Sequence, residues 1–504
     1  VRSMIRQASL SKDLNTKLLA AAADALKRLM ENNAYANLST DLVALKNYIS
    51  ARLTPEQHLQ ELAKEKITAA SSAELTKTID ILIKEQDDGT SCSRKYSELP
   101  ASVKKPDLVD WIMTFQCQDD SAKKHAIDKW KQTHSLPWLV AAACIVEGKD
   151  PNAAAILADI EKNKTGPAQW TLFFEGNRLN LELGKKDKVR ADLDKVLSHP
   201  PADLPAGSLN ALKLQRLLLS VNLDEVVRYG VQTPLSNCSN GGTSGVPDDV
   251  DVVLKTGKSS DKMEPLLTVT AAEAIASKMP LSVLTQLAGN KLLPQALKNN
   301  IAWTSWVRAV LVGDDASAKE LAQILKPLNK KKEKLVDAYL SAATPEDRKF
   351  AAAFLMLKFS SAQPFVSSGP LMDDDYGDSS GWWWSANPSP SYPSEGEDGQ
   401  DGSVKIPKFD PAFVTAAQKA QAKQQLASLA KVEAAPNYLG KIVLAYAKSH
   451  PDDLRIPEAL HYAVNATHYG STDDASKVLS KQEFQLLHTK YKANPWTKKT
   501  PYFY

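Results

Sequence analysis

Gln169-Trp170-Thr171-Leu172-Phe173-Phe174-Glu175-Gly176-Asn177-Arg178-Leu179-Asn180-Leu181-Glu182-Leu183-Gly184-Lys185-Lys186-Asp187-Lys188-Val189-Arg190-Ala191-Asp192-Leu193-Asp194-Lys195-Val196-Leu197 is two helical segments joined by a tight turn. Residues 169–183 form the first helix and 187–197 the second. Gly184 supplies the left-handed residue that closes one, and Asp187 offers a carboxylate to the exposed N–H groups that open the next. So short a joint forces the two helices antiparallel. One helix pair of this kind cannot bury its apolar face alone, so neighbouring pairs are expected on both sides.

They are there. Upstream, 107–117 pairs with 121–133, and 136–147 with 152–163. The joint recurs as Gly148-Lys149-Asp150, Gly313-Asp314-Asp315 and Gly470-Ser471-Thr472-Asp473. Residues 11–30 carry Leu and Ala at helical spacing. Thr54-Pro55-Glu56-Gln57 and Ser71-Ser72-Ala73-Glu74 read as capping boxes that open further helices. Sustained alternation of β-branched residues is missing; 250–254 is the one plausible strand.

Trp138 and Trp170 open successive first helices 32 residues apart, and Gly148 and Gly184 close them 36 apart. These values bracket the period of about 34 residues of tetratricopeptide helix pairs. The stretch Trp170 to Leu197 resembles such a repeat. So does the run from Tyr438-Leu439-Gly440 through Ala445 and His450-Pro451 to Pro457-Glu458-Ala459-Leu460. The ending Phe484-Gln485-Leu486-Leu487-His488, Tyr491, Asn494-Pro495-Trp496 and Pro501-Tyr502 is similar to the close of a large bacterial group of tetratricopeptide-type proteins without assigned activity. The helix Trp303-Thr304-Ser305-Trp306-Val307-Arg308-Ala309 and the triplet Trp382-Trp383-Trp384 share that likeness. It spans most of 107–504 and implies a scaffold. Several small residues of the repeat consensus are missing.

Two segments interrupt the helices. Residues 231–268 contain Asn237, Asn240, Gly241, Gly242 and Gly245, too rich in glycine for a helix. Residues 361–409 mix Pro, Ser, Gly and acid around the Trp triplet. The expected organisation is therefore an N-terminal helical region, 1–90; repeats at 107–230; the first insert, 231–268; repeats at 269–360; the second insert, 361–409; and C-terminal pairs with an aromatic tail, 410–504.

The chain has 504 residues, 43% of them hydrophobic and 24% charged, ordinary for a folded protein. Between Lys358 and Lys405 lie eight acids and no Lys or Arg. That stretch carries −8, so with a net charge of +3 the remainder carries +11. No global field announces nucleic acid or an anionic membrane, and no apolar run nears the roughly 20 residues of a membrane-spanning helix. The start at Val1 is read either as the trace of a removed secretory leader or as an arbitrary cut; the first reading places the protein outside the cytoplasm, periplasmic or secreted.

The acidic insert holds the candidate sites. Asp373, Asp374 and Asp375 bring hard oxygens together as a calcium loop would, but without an EF-hand frame. Trp382, Trp383, Trp384 and Tyr392 are candidates for a partner- or ligand-binding platform; the competing expectation has the tryptophans tucked onto the helices, pinning the loop. Cys92 and Cys117 are a candidate disulfide in an oxidising compartment, and the four cysteines show no zinc spacing. Glu458-Ala459-Leu460-His461 is half of a di-iron motif with no second copy. His461 and His468, two turns apart, fit a packing face. Lys330-Lys331-Lys332-Glu333-Lys334 lacks the interleaved aromatics of a nucleic-acid site and reads as a solvated helix start. The Asn-x-Ser/Thr triplets at Asn37, Asn163, Asn237 and Asn465 are given no glycan. Nucleophile-elbow, zinc-protease and phosphate-loop motifs are missing, so no catalytic residue and no cofactor is assigned.

The expected fold is all-α: an α-solenoid of stacked antiparallel helix pairs, a tetratricopeptide-like right-handed superhelix, with two non-helical inserts. The expected function is a non-catalytic protein-binding scaffold or assembly subunit whose partners are other proteins and not nucleic acid. The alternative is a carbohydrate- or peptide-binding module using the Trp-rich insert. At the C-terminus the final pair must be shielded, and Trp496 and Tyr502 are expected to fold onto the helix containing Tyr462 and Val464; an exposed docking peptide is the competing role for that tail.

Overall fold

The computed structural model describes residues 1–10, 15–83, 95–117, 119–233, 265–361, 363–369, 371, 382–383, 407–469 and 472–504. They fall into two compact units, residues 1–185 and 186–504, and both are predominantly helical. The all-α expectation holds at that level. The boundary falls at the joint 184–187, inside the run 107–230. Among the described residues no helix is long and apolar enough to cross a membrane. The only extended pairing among them is Val231–Gln232 antiparallel to Leu266–Leu267. The strand expected at 250–254 lies outside the described residues.

In the first unit each core is local in sequence, as helix pairs dictate. Helices Arg2–Ser9, Thr16–Met30 and Ser39–Leu53 close over Leu19, Ala22, Leu26 and Ile49. Pro55–Leu62, Ala69–Ile83 and Asp107–Cys117 bury Leu59, Ile79, Val109 and Met113. Asp120–Thr133, Leu136–Ile145, Ala153–Lys162 and Gln169–Glu182 bury Ile127, Trp138, Ile156, Leu172 and Leu179.

The joints obey the expected chemistry in part. Gly184 and Gly313 adopt φ of +76° and +75°, the left-handed region where a Cβ is strained. The Asp314 and Asp473 carboxylates accept the Ser317 and Ser476 N–H groups at 3.0 and 2.9 Å. Gly148 departs from the pattern: its helix ends at Ile145 on an extended Val146. A Cβ at Gly148 would lie 2.7 Å from the Glu182 Cβ, so closeness of approach, not handedness, requires glycine there. Asp187 lies inside the first turn of Lys186–Ser198, where it meets the helix dipole rather than standing before the helix. Gly470 is outside the described residues.

The two capping boxes also shift. Thr54 precedes Pro55–Leu62, yet its side chain makes no cap bond and its hydroxyl turns back toward the Ser50 carbonyl at 3.5 Å. The box placed at Ser71 forms three residues earlier: the Thr68 and Ser71 hydroxyls accept each other's N–H at 3.1 and 2.8 Å. Thr344 and Thr415 make complete boxes that sequence reading passed over.

The second unit is built around the helix Gln295–Val312, buried on every face from Asn300 to Ala309. A helix buried on all sides belongs in the middle of a bundle, and this one carries Asn300, Thr304, Ser305 and Arg308 among its apolar residues. Leu281–Ala288, Asp315–Leu328 and Ala416–Leu429 cover it. Trp303 and Trp306 meet edge to face at 5.6 Å, and they extend onto Phe359 at 4.8 Å and Tyr339 at 5.3 Å. Helix Ala416–Leu429 also packs on Val269–Lys278, and the Gln425 carboxamide accepts the Leu281 N–H at 3.0 Å. Contacts spanning so much chain depart from strict neighbour-to-neighbour stacking.

Ala435–Ser449, Ile456–Tyr469 and Asp474–Lys490 follow, with a polar seam between them. Asn437 donates to Asp473 at 3.1 Å and accepts from Ser476 at 2.7 Å, and Thr467 donates to Ser480 at 2.7 Å. Glu483 ends the seam, against the bare Cα of Gly440, with both carboxyl oxygens buried and without a partner among the described residues. Burial pushes that carboxyl well above the usual carboxylate range. An acid raised in the folded state costs nothing below its unfolded value, and stability falls as pH climbs above that value. Glu483→Gln is therefore expected to match the wild type at about pH 4.5 and to exceed it at pH 8 by at least about 1–3 kcal/mol, the scale of one unpaired buried group. Urea melts at the two pH values read this directly; an equal difference at both would mean the carboxylate is solvated.

The tail corrects half of the expected cap. Pro495 does not end regular structure; it opens the one-turn helix Pro495–Lys498, a first-turn position where its missing N–H costs nothing. Trp496 packs on His461 at 4.9 Å and on Tyr462 at 5.8 Å, as expected. Tyr502 instead points outward, 69% exposed. Its place is taken by Thr500, 2% exposed, by Phe503 against Phe484 at 5.3 Å, and by Tyr504 against His468 at 3.7 Å.

His461 shows how firmly the tail is held. The Thr500 hydroxyl donates to the Trp496 carbonyl at 2.9 Å, so it accepts from His461 Nδ1–H at 2.7 Å, leaving Nε2 to accept from Asn465 at 3.1 Å. Every position suits a neutral ring. Burial, with Lys499 nearby, lowers its pKa to about 4. The unfolded chain takes up this proton near pH 6.5 and the folded chain only near 4, so stability is full above 6.5 and falls between the two values by up to about 3 kcal/mol. His461→Gln is expected to flatten that part of the stability–pH curve; an unchanged slope would place the acid sensitivity elsewhere.

Candidate functional site

Asn300, Thr304 and Arg308 recur every four residues along Gln295–Val312, so they share one face of the buried helix. Across that face runs the non-helical segment 364–369. Arg308 Nε donates to the Pro364 carbonyl, and Thr304 Oγ1 to the Phe365 carbonyl at 3.3 Å. Asn300 Nδ2 contacts the Ser367 carbonyl at 3.0 Å, the Ser367 hydroxyl at 2.9 Å and the Gly369 carbonyl at 2.6 Å. From the other side the Leu267 N–H donates to the Ser368 carbonyl at 2.7 Å. Pro364 and Val366 are buried, while Ser367 is exposed apart from its contact with Asn300. The helix thus holds a strap mainly by its backbone carbonyls, a mode of recognition that places little demand on side-chain identity.

Arg308 is the unusual member. It is 4% exposed and contacts no carboxylate among the described residues. Its Nη1 donates to the Ala276 carbonyl at 2.9 Å, and Nη2 has no partner among them. Burial lowers its pKa to about 10, which still leaves it charged at neutral pH. A buried guanidinium held by carbonyls is a costly choice that aliphatic packing would avoid, so it fixes one arrangement of strap and helix.

Beyond the strap, Trp382 and Trp383 are 8% and 2% exposed. Their indole N–H groups donate to the Met356 and Glu433 carbonyls at 3.3 and 3.1 Å, and the Trp383 carbonyl accepts the Ala435 N–H at 2.9 Å. These two pin the chain to the helices and form no exposed platform. Trp384, Tyr392, Asp373, Asp374, Asp375 and Cys92 lie outside the described residues, and with Cys92 the disulfide proposed to Cys117. Cys117 itself is half-buried at the end of Asp107–Cys117.

Glu458 pairs with Lys358 at 2.7 Å while His461 serves the tail, so the half-motif is committed to packing. Among the described residues no group of three His, Cys, Asp or Glu side chains is placed to hold a metal. Lys330–Lys332 is a short turn before Glu333–Leu340, with the Lys332 ammonium 4.2 Å from the Phe359 ring centroid.

Sequence reading missed one titratable cluster, in the first unit. Asp110, 2% exposed, accepts from the Tyr96 hydroxyl at 2.5 Å and faces His125 Nε2 at 3.0 Å and Lys129 Nζ at 3.2 Å. Burial alone would raise this carboxyl; the bonds from His125 and Tyr96 and the His125 charge hold it below the usual range. The Tyr96 ring stacks on His125 at 4.6 Å. Tyr96, Asp110 and His125 come from three separate elements, so the cluster cross-links them. Its one sequence signal is Asp107 and Asp110 on a helix whose partner carries His125 and Lys129 at similar spacing.

Comparison with protein-family models, with curated proteins and with solved structures finds no match for this chain.

Proposed function

We propose that this chain is a non-catalytic, protein-binding scaffold or assembly subunit, acting outside the cytoplasm and built from tetratricopeptide-like helix pairs. The observation that carries this reading is the clamp of Asn300, Thr304 and Arg308. In it a helix face of this chain holds a non-helical segment through its backbone carbonyls, the chemistry a scaffold needs for a segment of another protein. Support for the helix pairs comes from side-chain bonds that link positions about one pair apart. Gly148 N–H to Glu182 spans 34 residues, Arg178 to the Ala143 carbonyl 35, Arg308 to the Ala276 carbonyl 32, and Asn437 to Asp473 36. Stacking of equivalent pairs brings such positions together at a period near 34.

The test is native purification of the full chain followed by mass spectrometry of what accompanies it. A stoichiometric protein partner that re-forms the complex from purified components supports the scaffold. Repeated isolation of the chain alone, with no complex re-formed from any candidate, counts against it.

A further inference from the structure

A pocket of about 380 Å³ opens in the second unit where Gln295–Val312 ends, bounded among others by Val310, Asp315, Tyr339, Arg348, Lys349 and Tyr438. That volume lies within the range of small-molecule sites. Its lower wall is apolar and aromatic. Tyr339 is 2% exposed and backed edge-on by Trp306 at 5.3 Å; burial raises its hydroxyl to about 12, so it remains a neutral donor. Tyr438 on the helix Ala435–Ser449 is half-buried and raised in the same direction by burial.

Arg348 is under-engaged by comparison with Arg178 and Arg216. Arg178 makes four contacts of 2.6–2.9 Å with Glu175, Glu182 and the Ala143 and Val146 carbonyls. Arg216 reaches Asp194 at 2.6 Å and Glu225 at 3.0 Å. Arg348, only 16% exposed, has a 3.6 Å ion pair to an Asp315 that is 69% exposed and a 3.3 Å bond to the Ala342 carbonyl. Its Nε has no partner among the described residues. A pair of that length with one partner in solvent is weak, so Asp315 yields readily to a better anion. Lys349 supplies a second positive charge on the same rim. The carbonyl end of Gln295–Val312 would repel an anion, but two of its carbonyls, Ala309 and Val310, are already taken by the Asp314 and Gly313 N–H groups at 2.9 and 3.2 Å.

We propose that this pocket binds a small carboxylate on an aromatic or branched apolar body, with the carboxylate on the Arg348 fork and Lys349 and the body between Tyr339 and Tyr438. A planar guanidinium matches a carboxylate through paired N–H donors, which an ammonium cannot do. The carboxylate has two possible sources, a free acid or the C-terminus of a peptide ending in an apolar residue. The site does not depend on the scaffold reading, because it requires no protein partner.

Calorimetric titration of the full chain tests it with four probes: 3-phenylpropionate, 3-phenylpropionamide, a short peptide ending in free phenylalanine, and the same peptide amidated. Saturable binding of at least one carboxylate is expected, with the matching amide at least about tenfold weaker. Tighter binding of the free acid assigns a metabolite, and tighter binding of the peptide assigns a chain terminus. Arg348→Lys keeps the charge and loses the fork, and should weaken binding about tenfold; the exposed Lys349→Gln should weaken it a few-fold. Should Arg348→Lys fail to fold, the amide comparison and Lys349→Gln still decide. Absence of saturation by either carboxylate up to about 10 mM, equal binding of acid and amide, or indifference to both variants overturns the proposal.

Discussion

Arg308→Ala is expected to destabilise the second unit by about 3–5 kcal/mol, the high end for a single substitution, from bared buried acceptors plus a cavity. The Pro364 and Ala276 carbonyls lose their donor, and each buried acceptor left bare costs about 1–3 kcal/mol. The volume once filled by the guanidinium becomes a cavity between the helix, the strap and Ala276, adding to the loss. Arg308→Met separates these terms: it refills much of the space but leaves both carbonyls bare, so its cost should fall between that of alanine and zero. Asn300→Ala, which removes the contacts to Ser367 and Gly369, should loosen the same strap from its other end. Trp fluorescence in urea reads stability, and hydrogen exchange at the Leu267 amide, which donates to Ser368, reads the strap. A cost below about 1 kcal/mol for Arg308→Ala would mean that the buried arginine holds nothing the fold needs, and the clamp would lose its place as the basis of the functional reading.

The sequence disclosed what is local. Helix pairs, the left-handed Gly184 and Gly313, and the capping acids Asp314 and Asp473 are decided within a few residues, so pattern alone finds them. It misassigned what depends on distant partners. Gly148 looks like a C-terminal glycine, yet it answers to Glu182 in another helix. The Trp382-Trp383-Trp384 run left a platform and a pin both open, and only the Met356 and Glu433 carbonyls, which receive its first two indoles, decide for the pin. The clamp was the least legible feature. Asn300, Thr304 and Arg308 share one helical face, but nothing nearby says that a segment some 60 residues later crosses it. Likewise the acceptor role of Asp110 emerges only once three elements converge on it.

Removing residues 495–504 is expected to cost about 3–5 kcal/mol and lower the melting temperature by at least about 6 °C. The loss is specific in origin. His461 and His488 forfeit their contacts to Thr500, the Ser480 hydroxyl loses the Tyr504 N–H, and Leu487, now fully buried, loses part of its cover along with Tyr462. Single substitutions locate the effect within the tail. Trp496→Ala should carry a large share, since it deletes the ring that covers His461 and Tyr462. Tyr502→Ala should fall within about 0.5 kcal/mol of wild type, as expected for an exposed residue. The truncated chain should also lose the acid sensitivity assigned to His461, because without Thr500 and Trp496 the ring is solvated and titrates near its ordinary value. A docking peptide predicts the reverse: unchanged stability, unchanged acid response, and loss of a partner from the native preparation. The buried Thr497 and Thr500 favour the cap, because a segment awaiting a partner has no reason to satisfy its own hydroxyls inside the fold it leaves.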